Sequence, residues 1–238
     1  MSAALEVTDL HAGYGQAMVL DGIGFLAEPG EIIAVVGANG AGKSTLLNTI
    51  AGTVRPTSGS IIFDGEDVTA LPAHRLPERG LVLVPEGGRL FPFMTVGDNL
   101  ELGGYALRDR KAIANRVDEV MELFPVLRER RDQLAGHLSG GERQMCAIAR
   151  SVMSRPKLLM LDEPSVGLSP KMVAQVFSLV QSLAASEGLT VVLVEQNVAE
   201  ALDVSNRAYV LDHGRITRAG ASAELRDDPA IQAAYMGL

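Results

Sequence analysis

The feature that most constrains the fold is a glycine-rich segment that lies between a strand pattern and a helix pattern. Residues 32–36 form an apolar run that predicts a buried β-strand, and residues 45–51 predict a helix that begins at Ser44. Between these two patterns, residues 37–44 have the sequence Gly-Ala-Asn-Gly-Ala-Gly-Lys-Ser. A strand, a glycine-rich loop and a helix are the context that a phosphate-binding P-loop requires. The alternative is a turn without function, and the agreement of the motif with its flanks argues against it.

This segment has the chemistry that phosphate binding needs. Glycines allow the loop to turn back on itself with N–H groups pointing inward, and they carry no Cβ that would block phosphate oxygens. The N-terminus of the following helix adds partial positive charge. Lys43 can bridge the β- and γ-phosphates of a nucleotide, and the Ser44 hydroxyl can ligate Mg²⁺. The segment therefore predicts a site for nucleotide phosphates and Mg²⁺.

Composition narrows the class of protein. The 238 residues, of which 47% are apolar, suit one large α/β domain with room for an inserted subdomain. A net charge of -8 argues against a nucleic-acid partner, which would favour a basic face. Cys146 is the one cysteine, so no intrachain disulfide can form, and its apolar helical surroundings predict a packed thiol.

No sequence pattern suggests insertion into a membrane or export. No apolar run approaches the ~18 residues that span a bilayer. Residues 1–10 contain Glu6 and Asp9 and lack the basic start and apolar centre of a signal peptide. We therefore expect a cytosolic chain that attaches to a membrane only through a partner.

A second motif carries two carboxylates. Residues 158–161 are apolar and predict a buried parallel strand, and Asp162 and Glu163 follow at its carboxyl end. Ligands of open α/β sheets bind at such ends. Asp162 can hold Mg²⁺ through water, as a Walker B aspartate does, and Glu163 is free to orient and deprotonate a water molecule. An ordinary buried strand is the alternative for this pattern alone, and the P-loop upstream favours the catalytic interpretation.

A third motif, Leu-Ser-Gly-Gly-Glu-Arg-Gln at 138–144, predicts a helix with Ser139 as its N-cap. A capped helix without further function is the alternative. The surrounding region, from Arg89 to about Arg155, is rich in helix formers and charge and has no strand pattern, and apolar residues within 112–127 recur at nearly helical spacing. We interpret this region as an inserted helical subdomain.

The rest of the chain predicts further strands and helices and contains one notable aromatic residue. Strand patterns occur at 5–10, 18–20, 23–27, 60–65, 81–84, 189–194, 208–211 and 215–217, the last two as a hairpin. Helix patterns occur at 171–187, at 199–204 and in a short tail to Leu238, and residues 56–59 predict a turn. Tyr14 lies between Gly13 and Gly15, where its ring can stack on a purine. A tyrosine packed in a turn is the alternative.

Together, Tyr14 and the segments 37–44, 138–144 and 161–163 resemble the ABC-type ATPase family along nearly the whole chain. The Leu-Ser-Gly-Gly-Glu sequence just upstream of the acidic strand end is the discriminating element, because other P-loop proteins rarely carry it. The resemblance implies an α/β P-loop NTPase fold in a single domain, 1–238. A RecA-like core and an antiparallel β-subdomain would comprise 1–87 and 156–238, and a helical signature subdomain would comprise 88–155.

The resemblance also implies a second ABC ATPase chain, paired head to tail, with ATP between one P-loop and the opposite signature. Tyr14 would then stack on adenine, Asp162 would support Mg²⁺, and Glu163 would be the general base. The expected phosphate and Mg²⁺ ligands are Gly37, Asn39, Gly40, Ala41, Gly42, Lys43, Ser44 and Thr45, and the expected contacts to the opposite nucleotide are Ser139, Gly140 and Gly141.

Three departures from the family pattern point to one branch. Glu86 stands where the family usually has glutamine in the coupling loop, Gln196 stands for the usual switch histidine, and Ser169 for the usual aspartate after Walker B. They resemble the ATPases of branched-chain amino-acid importers. We expect Glu86 near Mg²⁺ and Gln196 as the catalytic residue that holds the γ-phosphate and the attacking water.

That branch implies partners at the cytoplasmic face of the membrane: two transmembrane permease subunits and, indirectly, a periplasmic or extracellular binding protein. An ABC ATPase of a lipopolysaccharide-export-type system is the alternative within the family. A cytosolic P-loop GTPase or kinase is the alternative outside it. No Asn/Thr-Lys-x-Asp motif for guanine is present, which argues against the GTPase.

Overall fold

The computed structural model describes residues 4–107 and 109–236. Its strands are β1 (Leu5–Tyr14), β2 (Ala17–Ala27), β3 (Ile32–Val36), β4 (Pro56–Phe63), β5 (Glu66–Asp67), β6 (Leu81–Val84), β7 (Leu158–Asp162), β8 (Thr190–Glu195), β9 (Arg207–Asp212) and β10 (Arg215–Ala221). Its helices are α1 (Lys43–Ile50), α2 (Val96–Gly103), α3 (Arg110–Leu123), α4 (Pro125–Arg128), α5 (Gly140–Val152), α6 (Pro170–Glu187), α7 (Val198–Val204), α8 (Ser222–Asp227) and α9 (Pro229–Ile231). A π-helical turn, Gln232–Met236, follows α9.

The strands form two sheets. The larger sheet has the order β10-β9-β3-β8-β7-β6, in which only β10 is antiparallel to its neighbour. Every residue of β3, β7 and β8 is buried, as the continuous apolar runs of parallel strands require. The smaller sheet, β2-β1-β4-β5, is antiparallel. This arrangement confirms the predicted α/β P-loop NTPase fold.

Both faces of the larger sheet are covered, and β3 shows how the residues alternate. Ala34 and Val36 pack into an apolar cluster with residues of α2, α3, α5 and α6. Ile33 and Val35 point to the other face and pack with α1 and the smaller sheet. The central strands are therefore held from both sides, and the loops at their ends start from fixed positions.

The segment predicted as a turn at 56–59 is instead the first half of β4, which pairs with β1. The pairing register shifts along β1, and Asp9 there has a left-handed backbone with φ of 46°. A Cβ on Gly59 would collide with the carbonyl oxygen of Asp9, so glycine permits this close approach of the two strands. The prediction of a turn was wrong because a bulged strand pair also needs a glycine.

Two other predicted elements have different boundaries in the structure. The two short strands predicted between residues 18 and 27 are one continuous strand, β2. The helix predicted at 112–127 is interrupted at Phe124, which separates α3 from α4. Pro125 explains the interruption, since a proline disfavours the helical conformation in the residue before it. The predicted helical tail is present as far as the π-helical turn, and Leu238 lies outside the described residues.

Cys146 lies on the buried side of α5 and is fully enclosed. Burial raises the pKa of its thiol to about 12, with the charge of Arg150 acting in the opposite direction. The thiol is therefore protonated at neutral pH, which confirms the prediction of a packed side chain. Among the described residues, none of the helices combines the length and the apolar character that crossing a bilayer requires.

Candidate active site

A cavity of about 550 Å³ lies among the loops that follow β3, β6, β7 and β8. These four parallel strands are neighbours or near neighbours in the sheet, so their carboxyl ends meet at one edge. This edge is where open α/β sheets bind ligands. The lining residues are Val19, Asn39, Gly40, Gly42, Lys43, Ser44, Thr45, Glu86, Glu163, Val166 and Gln196.

The glycine-rich loop keeps its shape because two of its glycines occupy positions that a side chain would not fit. A Cβ on Gly37 would collide with the carbonyl oxygen of Leu211 in β9. Gly42 is the N-cap of α1 and has φ of 109°, which other residues rarely adopt. The loop thus leaves β3 and enters α1 within a few residues, and the first residues of α1 line the cavity, where the free N–H groups of a helix N-terminus suit an anion.

Lys43 is buried at the start of α1, and its ammonium group has three acceptors. Nζ donates to the carbonyl oxygens of Gly37 and Ala38, at 2.9 and 3.1 Å, and it forms an ion pair with Oε1 of Glu163 at 3.1 Å. An ammonium group has three N–H donors, so these contacts satisfy it. The positive charge is therefore held in the loop itself, next to the position where phosphates would lie.

Ser44 and Asp162 join the loop to the end of β7. The Ser44 hydroxyl donates to Oδ1 of Asp162 at 3.0 Å. Burial raises the pKa of Asp162 above its ordinary value, the Ser44 hydrogen bond and Lys43 oppose this, and the charges of Glu163 and Glu86 add to it. A hydroxyl beside a buried carboxylate is a donor set of hard oxygens, which suits Mg²⁺.

Glu163 follows Asp162 directly and has an unusual backbone. Its φ is 46°, a left-handed conformation that costs energy for a residue with a side chain, and its N–H donates to the carbonyl oxygen of Val194 at 3.0 Å. The neighbouring strand therefore helps to hold this conformation. It turns the side chain into the cavity, where the carboxylate reaches Lys43.

Glu86 and Gln196 line the same cavity from two other strands. Glu86 lies in the turn that follows β6, and Gln196 is the first residue after β8. Both are exposed, so neither is packed as a structural side chain. The structure thus brings together residues that are separated by more than 100 positions in sequence, at one end of the parallel strands.

Tyr14 does not line this cavity. It is the last residue of β1, 55% exposed, and it opens the hairpin that leads to Val19 in β2, which does line the cavity. The ring is therefore presented to solvent on the same hairpin as a cavity residue. An exposed ring in this position is not packed in a turn, which was the alternative for Tyr14.

The predicted signature residues lie at the start of α5, away from the cavity. Ser139 is the N-cap, as predicted: its Oγ accepts from the Glu142 N–H at 3.3 Å, and its own N–H donates to Oε2 of Glu142 at 2.8 Å. Gly140 follows, and Gly141 is buried against Met172 of α6. Ser139 lines a separate, mainly apolar cavity of about 730 Å³, which lies between α6 and the helices α3, α4 and α5.

One buried acidic residue was not singled out from the sequence. Glu195 ends β8 with no exposed surface, and its carboxylate accepts from the N–H groups of Ser165 and Gln196, at 3.0 and 3.2 Å. Burial raises its pKa, hydrogen bonding with the Ser165 side chain and with the two N–H donors opposes this, and the charge of Glu163 adds to it. The signal in the sequence is a charged residue at the end of an otherwise apolar run of strand residues.

The sequence resembles transport ATPases along its length. The family described as ABC transporter matches residues 20–166. The high-affinity branched-chain amino acid transport ATP-binding protein BraG of Pseudomonas aeruginosa is 46% identical, with 94% of this chain and 95% of that protein covered. The probable branched-chain amino acid transport ATP-binding protein LivF of Archaeoglobus fulgidus is 38% identical, with 98% and 99% covered.

A further relative belongs to a different transport system. The lipopolysaccharide export system ATP-binding protein LptB of Escherichia coli strain K12 is 34% identical, with 99% of this chain and 98% of that protein covered. Among solved structures, an ATP-binding cassette of an ABC transporter in its ADP conformation has a TM-score of 0.87 at 26% identity, with 100% of both chains covered.

Proposed function

The chain is an ATPase of the ABC transporter family, and from this premise we propose that it energises an importer of branched-chain amino acids or related amides. The observation that carries the proposal is that Glu86 and Gln196 line one cavity with Lys43 and Glu163. These are two of the positions at which the sequence resembles that branch of the family. The identities of 46% and 38% to two branched-chain amino acid transport ATP-binding proteins support it.

We assign the hydrolytic roles from the contacts in the cavity. Lys43 binds the β- and γ-phosphates, since its ammonium group already lies in the loop that would hold them. Ser44 and Asp162 hold Mg²⁺, with Glu86 close by, and the metal supplies positive charge that offsets charge on the phosphates. Glu163 takes the proton from the attacking water, and Gln196 holds that water and the γ-phosphate through its amide.

We assign the remaining nucleotide contacts to Tyr14 and to a second chain. Tyr14 stacks on adenine, because its ring is exposed on the hairpin whose Val19 reaches the cavity. Ser139, Gly140 and Gly141 lie at a helix N-terminus outside their own cavity, which suits contact with a nucleotide held by the partner of a head-to-tail dimer. Residues 88–155, which contain α2 to α5, act as a helical subdomain that carries this signature.

The permease subunits dock, in this proposal, on a groove beside the coupling loop. Phe91, Leu102 and Tyr105 are exposed apolar side chains that line it, and single-chain proteins rarely gather such side chains without a partner. Arg150 lies over the Phe91 ring at 6.0 Å and donates to the carbonyl oxygens of Gly88 and Arg89, at 2.8 and 3.0 Å. The groove is therefore linked to the loop that carries Glu86.

The test is to co-express the chain with the permease subunits of the proposed importer. We expect co-purification, ATPase activity stimulated by those subunits, and uptake of leucine or a related amide in vesicles that also contain the cognate binding protein. Leu102→Glu is expected to abolish co-purification while leaving basal ATPase activity intact, since it alters the groove and not the cavity. Glu86→Gln is expected to keep basal activity and change its stimulation.

A lipopolysaccharide-export-type ATPase is the second candidate, because the 34% identity to an export ATP-binding protein also spans nearly the whole chain. It would co-purify with permease subunits that need no solute-binding protein and would show no amino-acid uptake.

The Glu86→Gln variant also tests the role of Glu86. Loss of all basal ATPase activity in this variant would make Glu86 a catalytic acid–base residue.

A further inference from the structure

The loop that carries Glu163 is attached to β8 at two points. The Glu163 N–H donates to the carbonyl oxygen of Val194, and two residues later the Ser165 N–H donates to Oε1 of Glu195 at 3.0 Å. The first contact is ordinary backbone pairing at a strand end. The second depends on the side chain of Glu195, so one carboxylate helps to fix the path of the loop after Glu163.

The same carboxylate also contacts the residue that follows it. Oε2 of Glu195 accepts from the N–H of Gln196 at 3.2 Å. Its two oxygens therefore act on two different segments: one on the loop after β7 and one on the residue after β8. Glu163 and Gln196, which line the cavity from these segments, are thereby held relative to each other.

The burial of the Glu195 carboxylate is unfavourable for the stability of the fold. It has no exposed surface, and none of the ion pairs formed among residues 4–107 and 109–236 includes it. A buried carboxylate without a cation has lost its hydration, and two N–H donors together with the Ser165 side chain replace only part of it. A residue whose presence opposes folding but whose contacts hold two segments of the cavity points to a role in function.

We propose that Glu195 is a positioning residue: its buried carboxylate binds the Ser165 and Gln196 N–H groups and so fixes Glu163 and Gln196 in the geometry that hydrolysis requires. The inference rests on the roles proposed above for Glu163 and Gln196. It adds a residue that is not among those lining the cavity. Displacing a catalytic group by 1 Å can cost about 10²-fold in rate, which sets the scale of the effect.

The first variant is Glu195→Gln, which is nearly the same size and removes the charge. Its oxygen can accept from one N–H, but its NH₂ group faces the other, so one of the two contacts is lost. We expect a melting temperature at or above that of the wild type, an ATP affinity within about threefold of wild type, and a kcat lower by about 10- to 100-fold. A folded Glu195→Gln protein whose kcat is within twofold of wild type would overturn the proposal.

Glu31→Gln is the matched control. Glu31 is a largely buried glutamate, with its side chain 11% exposed, and it lies before β3 at the opposite edge of the sheet. It pairs with Arg207 at 3.2 Å and accepts from the Glu28 N–H at 2.9 Å. Its variant removes a largely buried carboxylate without touching the cavity. We expect a lower melting temperature, because Arg207 loses its partner, and an unchanged kcat, the reverse of the result for Glu195→Gln.

A double variant separates a positioning role from a general loss of structure. If Glu195 acts partly through Glu163, then Glu163→Gln combined with Glu195→Gln should lower the rate of hydrolysis by less than the product of the two single losses. A loss in the double variant equal to that product would contradict the proposal. Glu163→Gln with wild-type activity would instead reject the role of Glu163, which is the proposed function rather than this inference.

Glu195→Asp is the second variant, in case the first does not fold. It keeps the charge, but it is one methylene shorter and withdraws from the Ser165 N–H. We expect a lower kcat with little change in the KM for ATP. A raised KM with an unchanged kcat would mean that Glu195 supports nucleotide binding and not the hydrolytic step, and would overturn the proposal.

Discussion

The ammonium nitrogen of Lys43 lies 3.1 Å from Oε1 of Glu163, and both side chains are largely buried, at 3% and 14% exposure. These are the groups to which we assign phosphate binding and proton removal. While they are paired, the base is held by the cation, and a phosphate that attracts Lys43 competes with Glu163 for it. Nucleotide binding and release of the base are therefore coupled through one ion pair.

Removing this cation is the first prediction. Lys43→Ala should weaken ATP binding and abolish hydrolysis, since it removes a charge that contacts the phosphates and typically contributes about 10²-fold or more to the rate. It also leaves Glu163 buried without its cation, so the melting temperature should fall. Isothermal titration with ATP and a steady-state ATPase assay check this. Lys157→Ala, at an exposed pair with Asp64, is the control, and near wild-type hydrolysis by Lys43→Ala would refute the P-loop assignment.

Asp162 supplies a prediction about stability. Its raised pKa means that the folded chain holds this proton at a pH where the unfolded chain has lost it, so stability falls as the pH rises through that interval. Asp162→Asn removes this fall in stability with rising pH, and the amide keeps an oxygen that accepts from the Ser44 hydroxyl. We expect the variant to be more stable at pH 7 without nucleotide, by about 1 kcal/mol, and inactive with Mg²⁺ and ATP. Thermal unfolding between pH 4 and 8 measures it.

The exposed Asp203→Asn variant is the control for that experiment, since Asp203 has a solvent-exposed carboxylate paired with Arg226. An exposed ion pair contributes little to stability, so this variant should change the melting temperature at pH 7 little. A lower melting temperature for Asp162→Asn at pH 7 would show that the ionised carboxylate stabilises the site.

Sharing of the nucleotide between two chains is the third prediction. Ser139→Arg should leave ATP binding by the separate chain intact, because Ser139 does not line its own cavity, and should block hydrolysis by the paired chains. Glu163→Gln should hold an ATP-bound dimer, since the amide cannot take the proton. Size-exclusion chromatography with ATP measures dimer formation by both variants. The sample is this chain with its partner ATPase, if one is encoded nearby. Ser182→Arg on α6 is the control, and weaker monomer binding by Ser139→Arg would assign Ser139 to its own cavity.

Gln196 gives the fourth prediction. Gln196→Ala should lower single-turnover hydrolysis by about 10²- to 10³-fold, because one donor to the transition state is lost. Gln196→His should keep much of the rate and add a pH-dependent limb near pH 6.5, where imidazole titrates and glutamine does not. The measurement covers pH 5.5 to 9 with the permease subunits present. Gln175→Ala on α6 is the control, and an active Gln196→Ala enzyme with an unchanged pH profile would exclude Gln196 from the site.

Local patterns predict the parts of this molecule that local physics determines. The strand before the P-loop, the helix after it and the N-cap at Ser139 each depend on neighbours within a few residues, and the structure has all three. Glu86, Glu163 and Gln196 lie close together for a different reason. Each follows a parallel strand, and the carboxyl ends of parallel strands lie at one edge of the sheet. The roles of these residues stay predictions, while their placement in one cavity is now described.

The features that sequence reasoning missed depend on distant partners. Glu195 looks like the end of an apolar strand, and nothing in its neighbours reveals that the Ser165 N–H, 30 residues away, needs its carboxylate. The strand at 56–59 contains a proline and a glycine, which favour a turn locally, and pairing with β1 overrides that preference. The ion pair of Lys43 with Glu163 likewise joins segments that only the sheet brings together.

Helix α5 links two surfaces that different partners would use. Its N-cap is Ser139, and Arg150 lies on it roughly 17 Å further along by the rise of an α-helix. Residues of its buried face belong to the apolar core, and such packing favours movement of a helix as one body. Since Arg150 also donates to the carbonyl oxygens of Gly88 and Arg89, a displacement of the segment that contains Phe91 would be passed on to α5. The arrival of a permease would then be felt at the neighbouring chain's nucleotide as a mechanical displacement, without any change in the residues that bind ATP.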